Sequence, residues 1–339
     1  MTRRVAIIGL GMALAPHLKS LRELAGRVEI AGGYSPSAAR RQAFAATHGL
    51  PVADDLDRLL GDPSIDIALI ITPPNTHLEL VERCAAAGKH VLVEKPLDGT
   101  VARARAAIAA MDAAGRTFGV VLQHRCRAVS RSLAARIAAG ELGTLLSASA
   151  SVRWWRPPDY FAQAGRGMKA RDGGGVLLTQ AIHTLDLFQS LAGPIARVAA
   201  FAGISPLRQI DTEDVVGAAI TFAGGAIGTI DATTVAYPGF AERIELAGDA
   251  GTAVLAAESL DVFFKDGRHV REGGGFSNSG GADPMAFSND AHKALISDFL
   301  DAVDAGREPM VSGREAIKVQ VLIEALLASA AEGRVVEVV

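Results

Sequence analysis

Val91-Leu92-Val93-Glu94-Lys95-Pro96 is an apolar, largely β-branched run that ends abruptly in an acid, a lysine and a proline. Such a run reads as a strand buried on both faces of a parallel sheet. Proline has no N–H to give to a ladder, so the strand stops there. Lys95 is thereby placed at the carboxyl end of a parallel strand, where open α/β sheets bind their ligands. A lone lysine at a strand end is more often simply solvated, and it is the flanking sequence that raises its standing.

Toward the N-terminus, Arg4 to Ile8 is a short β-branched strand followed at once by Gly9-Leu10-Gly11, and an amphipathic pattern runs from Met12 to about Ala25. Strand, tight turn and helix start together open a dinucleotide-binding unit. Gly9 permits the turn. Gly11 lets the backbone approach a pyrophosphate at the helix N-terminus, beside Met12 and Ala13. Leu14 stands where the third glycine of G-x-G-x-x-G would be.

Val28 to Gly33 is the second strand. An NAD site usually carries an acid about 20 residues past the fingerprint, on the ribose diol. Here the strand ends in Tyr34-Ser35-Pro36-Ser37, followed by Arg40-Arg41. With no acid to repel a 2′-phosphate, and Ser35, Ser37 and Arg40 to grip one, the segment favours NADP over NAD. The competing reading has Ser37 capping the next helix and both arginines solvated. Asp66 to Ile71 is a further strand, ending in Thr72-Pro73-Pro74-Asn75-Thr76-His77 before a helix that closes at Gly88. Thr72, Pro73, Asn75 and His77 lie where the cofactor passes, although His77 also reads as an ordinary first-turn histidine. A helix from Thr100 to Ala114 and a strand from Thr117 to Gln123 complete a doubly wound Rossmann domain over residues 1–123, with Gln123 at its ligand-facing edge.

A length of 339 residues suggests two domains. Hydrophobic content of 49% with 21% charged residues is that of a globular chain. A net charge of −3 gives no reason to expect nucleic acid or an anionic membrane as partner, and no apolar run has membrane-spanning length. Cys84 and Cys126 are far apart, which argues against a metal cage or disulfide framework and fits the cytoplasm. Arg3-Arg4 ahead of Val5–Ala15 superficially resembles an export signal, but Gly9, Gly11 and Pro16 interrupt it.

Beyond residue 123 the strict alternation stops, and residues 124–339 read as a second domain. A helix near Ser130–Ala139 leads into strands near Leu145–Trp154, Val198–Ile204, Val215–Phe222, Ala226–Thr233 and Glu242–Ala247. Turns such as Ala223-Gly224-Gly225 fit an antiparallel meander. Gly273 to Asp290, rich in glycine and serine, reads as a loop or lid, and helices over Asp290–Ala305 and Arg314–Ala331 close the chain. Arg153, Arg156, Arg166, Lys169 and Arg171 cluster with Trp154, Trp155 and Tyr160 just before Gly173-Gly174-Gly175. Arg125, Trp155, Tyr160, Arg166 and Lys169 are candidate substrate contacts. The five basic residues suggest an acidic or phosphorylated substrate, against the plainer reading of solvated charges on an irregular loop.

Gly9-Leu10-Gly11, the Thr72–His77 stretch, Gly88-Lys89-His90-Val91-Leu92-Val93-Glu94-Lys95-Pro96, and Gly173 through Thr179-Gln180-Ala181-Ile182-His183-Thr184-Leu185-Asp186 occur in this order. With Val311-Ser312-Gly313-Arg314-Glu315-Ala316 near the end, the chain resembles the Gfo/Idh/MocA oxidoreductase family over essentially its whole length. The resemblance implies an NAD(P)-dependent dehydrogenase acting on CH–OH groups of sugars, polyols or related alcohols. It implies a C-terminal α/β domain with a large, mainly antiparallel open sheet through which homodimers or homotetramers form. One departure is Leu14; the other is Thr179, where the family's segment often has an aspartate four residues before its histidine. Residues i and i+4 share a helix face, so Thr179 can orient His183 or substrate but supplies no negative charge.

On this reading His183 is the best general base by intrinsic pKa. Lys95 bonds the substrate oxygen and nicotinamide ribose and steadies a developing alkoxide. Which of the two takes the proton stays open. Glu94 anchors the Lys95 turn, lies beside the cofactor with Pro96, or is simply an exposed strand-end acid. The alternatives are a non-catalytic dinucleotide- or sugar-binding regulator, and a redox-cycling enzyme that keeps its cofactor tightly bound.

Overall fold

The short apolar runs of the first half become β1 (Arg3–Ile8), β2 (Val28–Tyr34), β3 (Val52–Ala53), β4 (Ile67–Ile70), β5 (His90–Glu94) and β6 (Phe118–Val121). The computed structural model describes residues 2–163, 165–274 and 288–339. These six strands pair in parallel in the order β3-β2-β1-β4-β5-β6. Every residue of β4 is buried, as are Val91–Val93 of β5, which is why the strands read as continuous apolar runs rather than alternating ones. The chain reverses its direction of winding between β1 and β4, the switch point where such sheets bind ligands. β3 is two residues long, too short to carry a pattern.

Caps set the helix starts. Ser37 Oγ accepts from Arg40 N ahead of the Ala38–His48 helix, and Thr100 does the same for Arg103 N ahead of Val101–Ala113.

The first compact unit is Met1–Gln123 together with Ser288–Ile317, so the chain returns to it late. A single boundary after residue 123 does not describe this. The Asp290–Ala305 helix brings Leu295, Ile296, Phe299 and Leu300 into the core, and the Phe299 ring packs so close to Gly119 that a Cβ there would come within 2.7 Å of it. Lys293 Nζ pairs with Glu23 at 2.8 Å, and Asn289 Nδ2 donates to Ser20 Oγ at 3.2 Å. No composition shift marks the return.

A half-buried histidine, His90, and a buried one, His292, make this unit acid-sensitive. Burial, helped by the Arg116 charge, pushes His90 down to about 4; burial, helped by His17, pushes His292 down to about 4. A histidine harder to protonate when folded contributes stability in full above its unfolded value near 6.5, and that contribution is lost as pH falls toward about 4. For His292 the loss is ~3 kcal/mol at ~1.4 kcal/mol per pH unit. Thermal unfolding midpoints are expected to fall steeply across this window, and less steeply in His292→Leu. Equal slopes in the two proteins contradict the assignment.

The second unit, His124–Phe287 with Lys318–Val339, holds β7 (Leu145–Arg153), β8 (Ile195–Gly203), β9 (Val215–Phe222), β10 (Ile227–Thr233), β11 (Arg243–Gly248), β12 (Gly251–Ala256), β13 (Ser259–Phe264), β14 (His269–Gly273) and β15 (Val336–Glu337). They form a nine-stranded open sheet in the order β14-β13-β12-β11-β7-β10-β9-β8-β15. It is antiparallel apart from the β7–β10 pair. β12 alternates buried and half-exposed positions, the mark of a sheet with one covered face. β12 to β14 escape the sequence reading because small residues and charges blur their alternation. Most of the expected loop after Gly273, residues 275–287, lies outside the described residues.

Candidate active site

At the switch point, Gly9 has φ +105, and a Cβ on it would come within 2.7 Å of the Ile71 carbonyl oxygen. Only glycine suits that turn. Gly11 faces open space. The Leu14–Glu23 helix begins at Ala13 with no side-chain cap and no acid in its first turn. Its first N–H groups therefore suit an incoming anion. Met12 is exposed beside it, and Leu14 turns inward where a third glycine would lie. At the end of β6 the Gln123 Oε1 is buried without a hydrogen-bond partner, an acceptor suited to a carboxamide N–H. These features fit a dinucleotide, whose diphosphate Gly9, Gly11, Met12 and Ala13 would hold and whose nicotinamide Gln123 would meet.

The ribose edge is more committed than the sequence suggests. Ser35 is buried and its Oγ accepts from Ser37 N at 3.3 Å, while Ser37 Oγ serves as the cap. Arg41 Nη1 bonds the Ser35 carbonyl at 2.7 Å. Arg40 is exposed. In the next loop Thr72 Oγ1 accepts from Thr76 at 2.8 Å, and Pro73 and Asn75 are exposed.

His77 does not point at that groove. It is fully buried, with Nδ1 3.0 Å from the Pro96 carbonyl and Nε2 2.9 Å from that of Thr72. It braces the Thr72 loop against the turn after Lys95. Buried Asp98 holds the same turn, accepting from Leu78 N at 3.1 Å and Arg103 Nε at 2.8 Å. The Lys95–Pro96 peptide is cis. Lys95 is half-buried, and its backbone N–H donates to Glu94 Oε2 at 3.0 Å. Glu94 thus anchors the turn that carries the ammonium.

In the second unit the glycine run has a steric cause. A Cβ on Gly175 would overlap the Glu213 carbonyl. Glu213 in turn caps the segment that follows, accepting from Gly175 N at 3.2 Å and Leu177 N at 3.1 Å, while burial pushes its carboxyl up. A π-helical turn, Leu177–Ala181, then leads into the Ile182–Ala192 helix. Thr179 Oγ1 donates to the Gly175 carbonyl at 2.7 Å and lies against Gln180 Oε1. Its hydroxyl serves the backbone of this turn. Gln180 Nε2 donates to Tyr160 Oη at 3.2 Å. Thr179 and Gln180 line a small pocket with Phe161, Arg166, Glu213 and Thr234.

His183 is half-buried, its ring stacked on His124 at 4.9 Å between centroids and 29° between planes. Arg127 Nη2 lies 2.8 Å from His124 Nε2. A guanidinium only donates, so that nitrogen carries no proton. Arg127 is itself held by Glu242 at 2.7 Å and Glu258 at 3.0 Å.

Arg125, expected at the substrate, makes a bidentate pair with buried Asp186, at 2.7 and 2.6 Å. It anchors the His183 helix instead. The basic segment also differs from expectation, because acids within it and elsewhere in the unit meet three of its charges. Arg153 pairs with Asp231, and Arg166 and Arg171 face Asp172. Buried Arg156 lies 4.8 Å over the Trp154 ring and 5.5 Å over Tyr160. Trp155 packs on Tyr237, and Lys169 is exposed.

A family description reading "Oxidoreductase family, NAD-binding Rossmann fold" matches residues 3–122, and the GFO/IDH/MocA C-terminal domain matches residues 130–254. The chain is 28% identical to a D-apiose dehydrogenase of Paraburkholderia graminis over 345 residues, covering 98% of this chain and 88% of that protein. It is 27% identical to an inositol 2-dehydrogenase of Rhizobium meliloti, covering both chains completely. Among solved structures, the WlbA dehydrogenase of Bordetella pertussis in complex with NADH and UDP-GlcNAcA superposes with a TM-score of 0.85 at 26% identity, over 99% of each chain.

Proposed function

Because the chain belongs to the Gfo/Idh/MocA oxidoreductase family, we propose that it is an NAD(P)-dependent dehydrogenase acting on a CH–OH group of a sugar or polyol. The observation that carries the reading is the placement of Lys95 at the carboxyl end of β5, on a turn held by Glu94, His77 and Asp98. Bound nicotinamide supplies the hydride acceptor or donor. The chain's own groups orient the carbinol and move one proton. Lys95 stabilises the oxygen as negative charge develops on it, and His183 takes the hydroxyl proton on oxidation and returns it on reduction. Thr179 and Gln180, on the turn that leads into its helix, orient the substrate.

The pairing of Arg153, Arg166 and Arg171 with acids supports a neutral substrate rather than a sugar acid. A panel of sugars, inositols and sugar acids, read by NAD(P)H absorbance, tests this. Net turnover of free cofactor with neutral polyols is the expected result. A cofactor that copurifies and never exchanges indicates the redox-cycling alternative, and binding without turnover indicates a regulator.

For the cofactor we infer NADP, gripped at its 2′-phosphate by the exposed Arg40 guanidinium, with no acid at the end of β2 to oppose it. Charge-assisted bonds contribute about 1.5–3 kcal/mol, so kcat/KM is expected to favour NADP by at least roughly tenfold and to lose that preference in Arg40→Ala. A tenfold preference for NAD overturns the assignment.

No helix among the described residues is long and apolar enough to cross a membrane. Both cysteines are buried and neither is in a disulfide, and burial pushes the Cys84 thiol up to about 12. These thiols support a reducing compartment, the cytoplasm. The uncovered face of the nine-stranded sheet exposes Phe201, Val215, Ile227 and Phe263, which supports pairing of two copies through that sheet. Light scattering checks it.

A further inference from the structure

His17 and His292 have no part in the mechanism above, yet with Glu94 they place their ligand-bearing atoms within 4.8 Å of one another inside the first unit. Two imidazoles and a carboxylate are a set that can bind zinc. The spacing speaks against it. His17 Nε2 and Glu94 Oε1 are 2.7 Å apart, a hydrogen-bond distance, whereas two ligands on a tetrahedral zinc with bonds of about 2.0–2.1 Å sit about 3.3 Å apart. The His17 and His292 rings meet edge to face, with centroids 5.2 Å apart, which is the geometry of packing.

The two carboxylate oxygens show what the cluster connects. Oε1 meets His17 Nε2; Oε2 accepts the backbone N–H of Lys95 at 3.0 Å. Burial works to raise the Glu94 carboxyl, but the hydrogen bond from His17 and the nearby Lys95 charge outweigh it and hold the group at about 2. Glu94 is therefore a carboxylate that only accepts, and His17 Nε2 carries the proton between them. His17 itself is fully buried on the inward stripe of its helix with Leu14, Leu18 and Leu21.

We propose that His17 is a positioning residue for Lys95: through Glu94 it fixes the turn that carries the ammonium, and it ties that turn to the helix whose N-terminus receives the cofactor diphosphate. The inference rests on the reading that Lys95 acts on the substrate. Its physical content is the hold on one carboxylate: His17 bonds Oε1 and the Lys95 backbone N–H bonds Oε2. Remove the imidazole donor and Oε1 loses that bond, so the carboxylate rotates and no longer fixes the backbone N–H of the turn. His292, packed against the His17 ring, keeps that ring in register.

The test compares His17→Leu, which removes the donor, with His17→Gln, whose amide N–H can still reach Oε1. In His17→Leu, kcat is expected to fall at least about tenfold, as for loss of one charge-assisted hydrogen bond, with the KM for cofactor nearly unchanged. His17→Gln is expected to recover most of the loss. Should His17→Leu fail to fold, Glu94→Gln serves in its place: it leaves one acceptor oxygen for two donors, and the same selective fall in kcat is expected. Unchanged kcat in the folded variant, a Gln variant as slow as Leu, or a loss confined to cofactor KM overturns the proposal. If Lys95→Ala leaves turnover intact, the reading of Lys95 has failed. If Lys95→Ala is slow and the His17 variants are not, only the positioning role has failed.

Discussion

Lys95→Ala is expected to lower kcat at least about a hundredfold, the scale of a group that stabilises charge at a reacting oxygen. The turn around Lys95 is held without the ammonium. Glu94 bonds its backbone N–H, His77 reaches the Pro96 carbonyl, and Asp98 closes the far side through Leu78 and Arg103. Removing the side chain therefore removes the charge and leaves these anchors in place, so the unfolding midpoint should move little. Cofactor binding should survive too, since the diphosphate is received by backbone N–H groups and the Gly9–Gly11 turn. A variant that turns over normally would remove Lys95 from the chemistry; one that has lost cofactor binding would make it a ligand for the dinucleotide alone.

His183→Asn is expected to cost a similar factor, at least about a hundredfold in kcat, because asparagine keeps the polarity but cannot take a proton near neutral pH. The helix that carries it has independent anchors. Arg125 grips Asp186 from the side, and Glu213 caps the segment ahead of it. Loss of rate should thus come without loss of fold. His124, stacked on the same ring, cannot substitute: Arg127 already donates to its Nε2. If His183→Asn turns over normally while Lys95→Ala does not, the lysine is the proton acceptor and the imidazole a structural neighbour.

Much of the first unit is legible in the sequence because its strands are short apolar runs, most of them ended by glycine or proline and followed by a helix. Gly9 and Lys95 stand out for the same reason: both sit where a run stops. What stays hidden is whatever depends on a partner far along the chain. Arg125 reads as a substrate contact at a strand end, and its partner Asp186 lies 61 residues on. The basic segment shows its five charges, but Asp231, 78 residues beyond Arg153, carries no local sign of meeting it. His17 is the instructive middle case. Its place on the apolar stripe of a helix marks it as buried, yet Glu94, 77 residues away, is what gives it a role. The return of the Asp290–Ala305 helix to the first unit is likewise a matter of tertiary packing, decided by where its apolar face finds cover.

The proposed function requires direct hydride transfer between a carbinol carbon and free nicotinamide cofactor. The most direct measurement is turnover of a neutral polyol deuterated at its carbinol carbons, with the reduced cofactor examined by mass spectrometry. One deuterium in each reduced cofactor, formed by the wild-type protein and suppressed in both Lys95→Ala and His183→Asn, is the predicted result. Reduced cofactor without deuterium, or none at all across the polyols while cofactor binds, contradicts it.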